Sequence, residues 1–171
     1  MSILSQLQSA GGCGGGQAIY YAAKGVCYMS NVTRKQIELW PDTIKIMHYF
    51  LPQLNLHRVR FRNNCSLPGN WFTSASNVAA MTFGYNIFFK GKDNQQSWTK
   101  LELMLHELVH VDQVRRRGDS DSNFACDYGK GYLAAGNYRN NPMEVEAYNF
   151  VTNNPLPGSL PANLRVLPKK P

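Results

Sequence analysis

The chain has 171 residues, 43% of them hydrophobic and 17% charged, which suits one domain with its own core and is short for two. No apolar run approaches the roughly 20 residues that cross a bilayer, so no membrane span is expected. Eighteen Lys and Arg against eleven Asp and Glu give a net charge of +7, which favours acidic partners without choosing among nucleic acid, anionic lipid and peptide.

The N-terminus, "MSILSQLQSAGGCGGG", lacks the basic n-region and the sustained apolar core of a secretory signal. The chain is therefore expected either to stay in the cytosol or to leave by a non-classical or injection-type route. Residues 1–16 read as a flexible arm hinged on "GGCGGGQ". That stretch is not a phosphate-binding loop, because the Gly-Lys-Ser/Thr ending is missing. "NVTRKQIELWPDTIKIMHYFLPQL" spaces its apolar residues for two helices meeting at Pro41, the second stopped by Pro52.

"LHRVRFR" alternates as a strand, with Arg58, Arg60 and Arg62 on one face and Val59 and Phe61 on the other. A solvated sheet face explains the arginines, and with no binding motif beside them nucleic acid is disfavoured as a partner. "CSLPGNW" reads as a turn, and "VAAMTFGYNIFFKG" as β-rich sequence ending in a loop at 91–94. Cys13, Cys27, Cys65 and Cys126 form no C-x-x-C pair, so their redox state stays open, with three connectivities if two disulfides form.

Thr99-Lys100-Leu101-Glu102 has the pattern of a capping box, and a helix is expected from there to Gly118. Leu101, Met104, Leu105, Leu108, Val109 and Val111 leave it little polar surface besides His106, Glu107 and His110, so it should be a buried central helix. "GDSDSNFACDYGKGYLAAGNYRN" reads as a polar, glycine-punctuated connection. Asn141-Pro142 then caps a helix through "PMEVEAYNFV". Residues 151–171, rich in proline, are expected to form an extended strap or a loose tail.

The chemistry concentrates in "HELVHVDQ". Residues i and i+4 share a helix face, so His106 and His110 can both address one metal ion while Glu107 flanks them. Two hydrogen-bonded core histidines would be the ordinary alternative, yet two imidazoles and a carboxylate on an apolar helix are costly unless paired. A catalytic zinc ion needs three protein ligands and an open position. Glu144, in the first turn of the later helix, is the candidate third ligand; Glu146 points about 200° away around that helix.

Glu107 is then the candidate general base. For the donor that stabilises the oxyanion, Tyr128, Tyr132, Tyr138, Arg139 and Tyr148 come into consideration, and Tyr138 is chosen because it lies just before the ligand helix. Cys13, on its glycine-rich segment, is considered as a fourth ligand that would keep the site latent. His48 and His57 are read as structural.

His106-Glu107-x-x-His110 with a downstream Glu-x-x-Ala resembles the gluzincin clan of zinc peptidases. "LNLHRVRFRNN", "ASNVAAMTFGYNIFF", "LMLHELVHVDQ" and "NPMEVEAY" together resemble the eCIS core family, a peptidase-like domain found with extracellular contractile injection systems, over roughly residues 54–150. The resemblance implies an α+β, zincin-like domain at residues 17–150, with a short β-sheet, a central HExxH helix and a downstream glutamate helix. It also implies Zn2+ on His106, His110 and Glu144, Glu107 as base, and a peptide or protein substrate paired along "MTFGYNIFF".

The activity so implied is that of a zinc endopeptidase, as a secreted effector or toxin. Tyr148 stands where the clan carries Asp or Asn to hold a ligand histidine, which leaves that partner open. The rival readings are a metal-binding structural or targeting module without catalysis, and a basic nucleic-acid-binding protein whose motif is incidental. The oligomeric state is not legible.

Overall fold

In a computed structural model, the structure describes residues 13–67, 78–92 and 95–171. Among these the elements run α1 (Cys13–Ser30), β1 (Gln36–Ile37), α2 (Pro41–Phe50), a 3-10 turn (Leu56–Arg58), β2 (Arg60–Arg62), β3 (Ala80–Phe83) and β4 (Asn86–Phe89). They continue with α3 (Trp98–Arg115), α4 (Asp121–Ala135), α5 (Pro142–Asn153) and a 3-10 turn (Ala162–Leu164). The class is α+β, with one small mixed sheet ordered β1-β2-β4-β3.

Strand β2 runs parallel to β4 and antiparallel to β1, and β3 closes a hairpin with β4 in which Phe83 faces Asn86. The hairpin needs only Gly84 and Tyr85 between its strands. Gly84, at φ +61°, supplies the positive φ that a two-residue turn requires at its first central position. Phe61, Ile87 and Phe89 are buried at 2% exposure or less, while Arg60 is exposed, so the predicted alternation of "RVRFR" holds in β2. The stretch at 56–58, however, is a 3-10 turn rather than strand.

Helix α3 is the buried centre that its composition predicts, with twelve of its eighteen residues buried. Its cap differs from the expected one. Ser97, not Thr99, accepts the Lys100 N–H, and Glu102 turns instead to the backbone N–H of Leu156 at 3.1 Å. That bond fastens the C-terminal segment, whose Leu156 and Leu160 belong to the core around α2, the sheet and α3. Residues 154–164 thus form a packed strap, while most of 165–171 is exposed.

Three further expectations are corrected. The "GGCGGGQ" hinge is helical from Cys13 onward, and the arm boundary at residue 16 falls within the first turn of α1. Ahead of Pro41 the chain forms β1 rather than a helix, while α2 begins at Pro41 as expected and ends at Phe50 before Pro52. The supposed connection after Gly118 is mostly α4, fifteen residues long, capped by the Ser120 side chain and stopped by Gly136 at φ +71°. The arm at 1–12, the turn at 65–71 from residue 68 on, and residues 93–94 of the following loop lie outside the described residues.

Glycine explains why α1 and α4 were hard to read and why they fit together. A Cβ on Gly129 would fall 2.0 Å from Gly16 Cα, and one on Gly16 would fall 2.6 Å from Gly129 Cα, so the two backbones touch. A Cys13–Cys126 disulfide fastens the same pair. Tyr20, Cys27, Phe83, Phe124 and Met143 form a second apolar cluster between these helices and the hairpin.

Candidate metal centre

Two helices bring the candidate ligands together. On α3, His106 and His110 stand one turn apart with ring centroids 4.9 Å from each other. On α5, Asn141 accepts the Met143 N–H and Pro142 occupies the first turn, which starts the helix where Glu144 can face α3. Glu144 is 1% exposed, whereas Glu146 is exposed and bonds Gln113 and Arg116. The choice of Glu144 over Glu146 as the inward carboxylate therefore matches the geometry.

His106 Nε2 lies 3.3 Å from Glu144 Oε2, and His110 Nε2 lies 3.3 Å from Glu144 Oε1. The ligand atoms of all three residues fall within 4.8 Å of one another. Despite these short separations, His110 Nε2 and Glu144 Oε2 are buried without an aligned hydrogen bond. Buried polar atoms with no partner are costly. Their convergence on one point fits a cation, and the group could hold a metal ion.

The charges of the group are mutually dependent. Burial pulls the His110 imidazole down, but the Glu144 carboxylate outweighs it and raises the pKa to about 9. Burial pushes Glu144 up, and the two histidines overcome that to leave its carboxyl well below the usual range.

Around the ligands, His110 and Glu144 are oriented by hydrogen bonds. His110 Nδ1 meets Gln113 Oε1 at 2.9 Å, and the Gln113 amide donates to the Met143 carbonyl at 2.9 Å and to Glu146 at 3.0 Å. Gln113 thus fills the place for which the sequence offered no partner, and Tyr148 lies instead with its ring 4.6 Å from that of His106. One glutamine orients a ligand on α3 and ties it to the turn of α5 that carries Glu144. The clue in the sequence was the i,i+3 spacing of His110 and Gln113 on one helix face.

Glu107 does not join the converging donors. Thr82 of β3 donates to its Oε2 at 2.6 Å, which turns the carboxylate toward the hairpin. Tyr128 of α4 donates to Glu144 Oε1 at 2.6 Å, a contact hidden from a reading that treated its segment as a connection. Burial, then the carboxylates of Glu144 and Glu107, hold the hydroxyl of Tyr138 far above its ordinary range, so it stays a donor.

Cys13 is in the disulfide and so cannot serve as the considered fourth ligand. His48 and His57 are exposed and outside the group. The arginines that end α3 are paired locally: Arg115 and Arg116 bond Asp112, Arg116 also bonds Glu146, and Arg117 bonds Asp127.

Two hollows meet at the centre. One is an aromatic cavity walled by α1, α4 and β3 that ends on Glu107, His110 and Glu144. The other is a groove past His106, bordered by Glu102, Arg139 and Tyr148. Glu107 and Tyr138 line both.

No curated protein and no solved structure matches the chain. The family model described as the eCIS core domain matches residues 52–118, which run from the end of α2 through the whole of α3. That is shorter than the similarity expected at 54–150, and Glu144 lies beyond it. Over residues 52–118, the segment that carries both histidines and Glu107, the chain is thus similar to the eCIS core domain.

Proposed function

We propose that the chain is a zinc endopeptidase of gluzincin type with a zincin-like catalytic core, acting as an effector associated with an injection system. The observation that carries this reading is the meeting of three buried side chains, with His110 Nε2 and Glu144 Oε2 left without hydrogen-bond partners, beside a glutamate held out of the ligand set. Two imidazoles and one carboxylate are a common donor set for catalytic zinc, and they leave a coordination position for solvent or substrate. Bound there, zinc would supply a Lewis acid that acidifies water and polarises a carbonyl.

The residues then divide the work. Glu107, aimed by Thr82, takes the proton of the attacking water and delivers it to the leaving amine. Tyr138, kept protonated and placed where both hollows meet, donates to the developing oxyanion. Strand β3 ends the sheet, and no strand pairs with its outer edge among the described residues, so it offers backbone groups to an extended peptide.

The test is to measure bound zinc and cleavage of a denatured protein mixture together. Glu107→Gln should keep stoichiometric zinc and lose about a hundred- to ten-thousand-fold in rate. Glu144→Ala should weaken zinc binding, and His106→Ala with His110→Ala should abolish it. If Glu107→Gln loses the metal while Glu144→Ala keeps it, the roles are reversed. A wild type that binds zinc and cuts nothing would instead favour a structural module.

A further inference from the structure

The two hollows that meet at Glu107 differ in chemistry. Past His106 the groove carries Glu102 and Arg139 and is open to solvent. On the His110 side the cavity is walled by Ile19, Tyr20, Met81, Phe83, Phe124 and Tyr132. Its polar groups are largely committed. Tyr20 accepts the Gly84 N–H at 3.0 Å and donates to Asp121 at 3.2 Å, and Tyr128 donates to Glu144. With these hydroxyls engaged, a polar or charged guest would lose hydration with little in return.

We infer that this cavity receives a large apolar side chain, aromatic or Leu/Met-like, from the substrate residue flanking the scissile bond. The inference rests on the peptidase reading, and it names the class of substrate that the site selects. Geometry supports the assignment in three ways. The cavity ends on Glu107 and His110, so its occupant lies next to the reacting atoms. Its β3 wall is the edge along which a peptide would extend, and alternate side chains of an extended peptide point to one side. Its opposite wall is a joined pair, because α1 is in backbone contact with α4 at Gly16 and Gly129 and is bonded to it through Cys13 and Cys126.

The selecting wall, α1, lies outside residues 52–118. Met81 and Phe83 of β3, within those residues, complete the wall that α1 and α4 contribute from outside them. Ala23 is the position to alter, since it lines the cavity and is 5% exposed. Ala23→Leu should fill the space, and Ala23→Val should fill part of it.

Two measurements separate this inference from the reading on which it rests. The first is cleavage of a peptide library by zinc-loaded protein: wild type should prefer a phenylalanine or leucine over alanine at one flanking position by on the order of a hundred-fold in kcat/KM. Ala23→Leu should remove most of that preference, and Ala23→Val part of it. The second uses metal-free protein and no catalysis, following NMR shifts on titration with N-acetyl-phenylalanine amide and its alanine counterpart.

The phenylalanine compound should shift resonances of α1 and α4 and bind at least ten-fold more tightly than alanine, a difference that Ala23→Leu should erase. If Ala23→Leu fails to fold, Ala23→Val carries the comparison. Equal binding of the two amides, shifts away from α1 and α4, or a library preference for charged residues at that position would each overturn the inference. Selective aromatic binding by a wild type that cuts no peptide would leave the cavity assigned and remove the peptidase.

Discussion

The two apolar clusters of this protein are built by different means. The larger, around α2, the sheet, α3 and the C-terminal strap, is filled by aliphatic and aromatic side chains such as Ile46, Phe89, Met104, Leu105 and Leu160. The smaller, between α1, α4 and the hairpin, contains fewer buried residues and adds a glycine-to-glycine contact, a disulfide and a polar clasp. In that clasp Lys24 and Tyr20 reach Asp121, and Gln17 reaches Ser122. The first supports the ligand helix from within. The second shapes the space beside it. Stability and metal binding should therefore respond differently to damage in the two.

The largest effect is expected in the larger cluster. Leu105, 0% exposed and next in sequence to His106, should cost about 2–5 kcal/mol when changed to Ala, and the metal affinity of the folded fraction should fall with it. Chemical denaturation with and without zinc measures both. In the smaller cluster, Cys13→Ser should cost a comparable amount at most, about 2–5 kcal/mol, since the bond closes a sequence separation of 113 residues. Metal affinity should stay within a few-fold while amide exchange quickens in α1. A parallel collapse of zinc binding would mean that the two layers are not separable.

Between the clusters stands Gln113. Replacing it with Ala should weaken zinc binding roughly 10–100-fold with the fold intact, because His110 loses its orienting acceptor and α5 loses a tie to α3. Competition against a chromogenic chelator reads this directly, and an unchanged affinity would break the assignment.

The last effect is confined to alkaline pH. Burial raises the Cys27 thiol from 9.0 to about 12. Below pH 9 the folded and unfolded chains both hold the thiol. Above it the unfolded chain ionises first, so stability should fall between about pH 9 and 12, by an amount visible against Cys27→Ala. For the same reason native Cys27 should resist alkylation at pH 8, with thiolate on the order of one part in ten thousand.

The difference between the clusters also decides what could be read from sequence. Helix α3 was legible because apolar side chains at helical spacing dictate both its form and its burial, and the polar exceptions His106, Glu107 and His110 then stood out. Asn141-Pro142 gave α5 its start, and angular position separated Glu144 from Glu146. Helices α1 and α4 carry the opposite signals. Glycines break helices by propensity, but Gly16 and Gly129 stand where the two backbones touch, and that reason exists only in three dimensions.

Tyr128 was obscured along with α4. The true cap at Ser97 was hidden by a neighbouring Thr-x-x-Glu pattern whose glutamate is spent on the Leu156 amide. The pairing of Cys13 with Cys126 could not follow from spacing, because four cysteines allow three connectivities.

The disulfide has a topological consequence. It makes the chain from Cys13 to Cys126 a covalent ring that contains both histidines and Glu107, while Glu144 hangs outside on the segment that follows. One backbone cut inside the ring leaves a single molecule that migrates apart only after reduction. One cut between Cys126 and Glu144 releases the carboxylate arm, held to the ring by side-chain contacts and by whatever ion the three donors share. Limited proteolysis on non-reducing gels, with and without metal, would thus report whether that ion cross-links ring and arm.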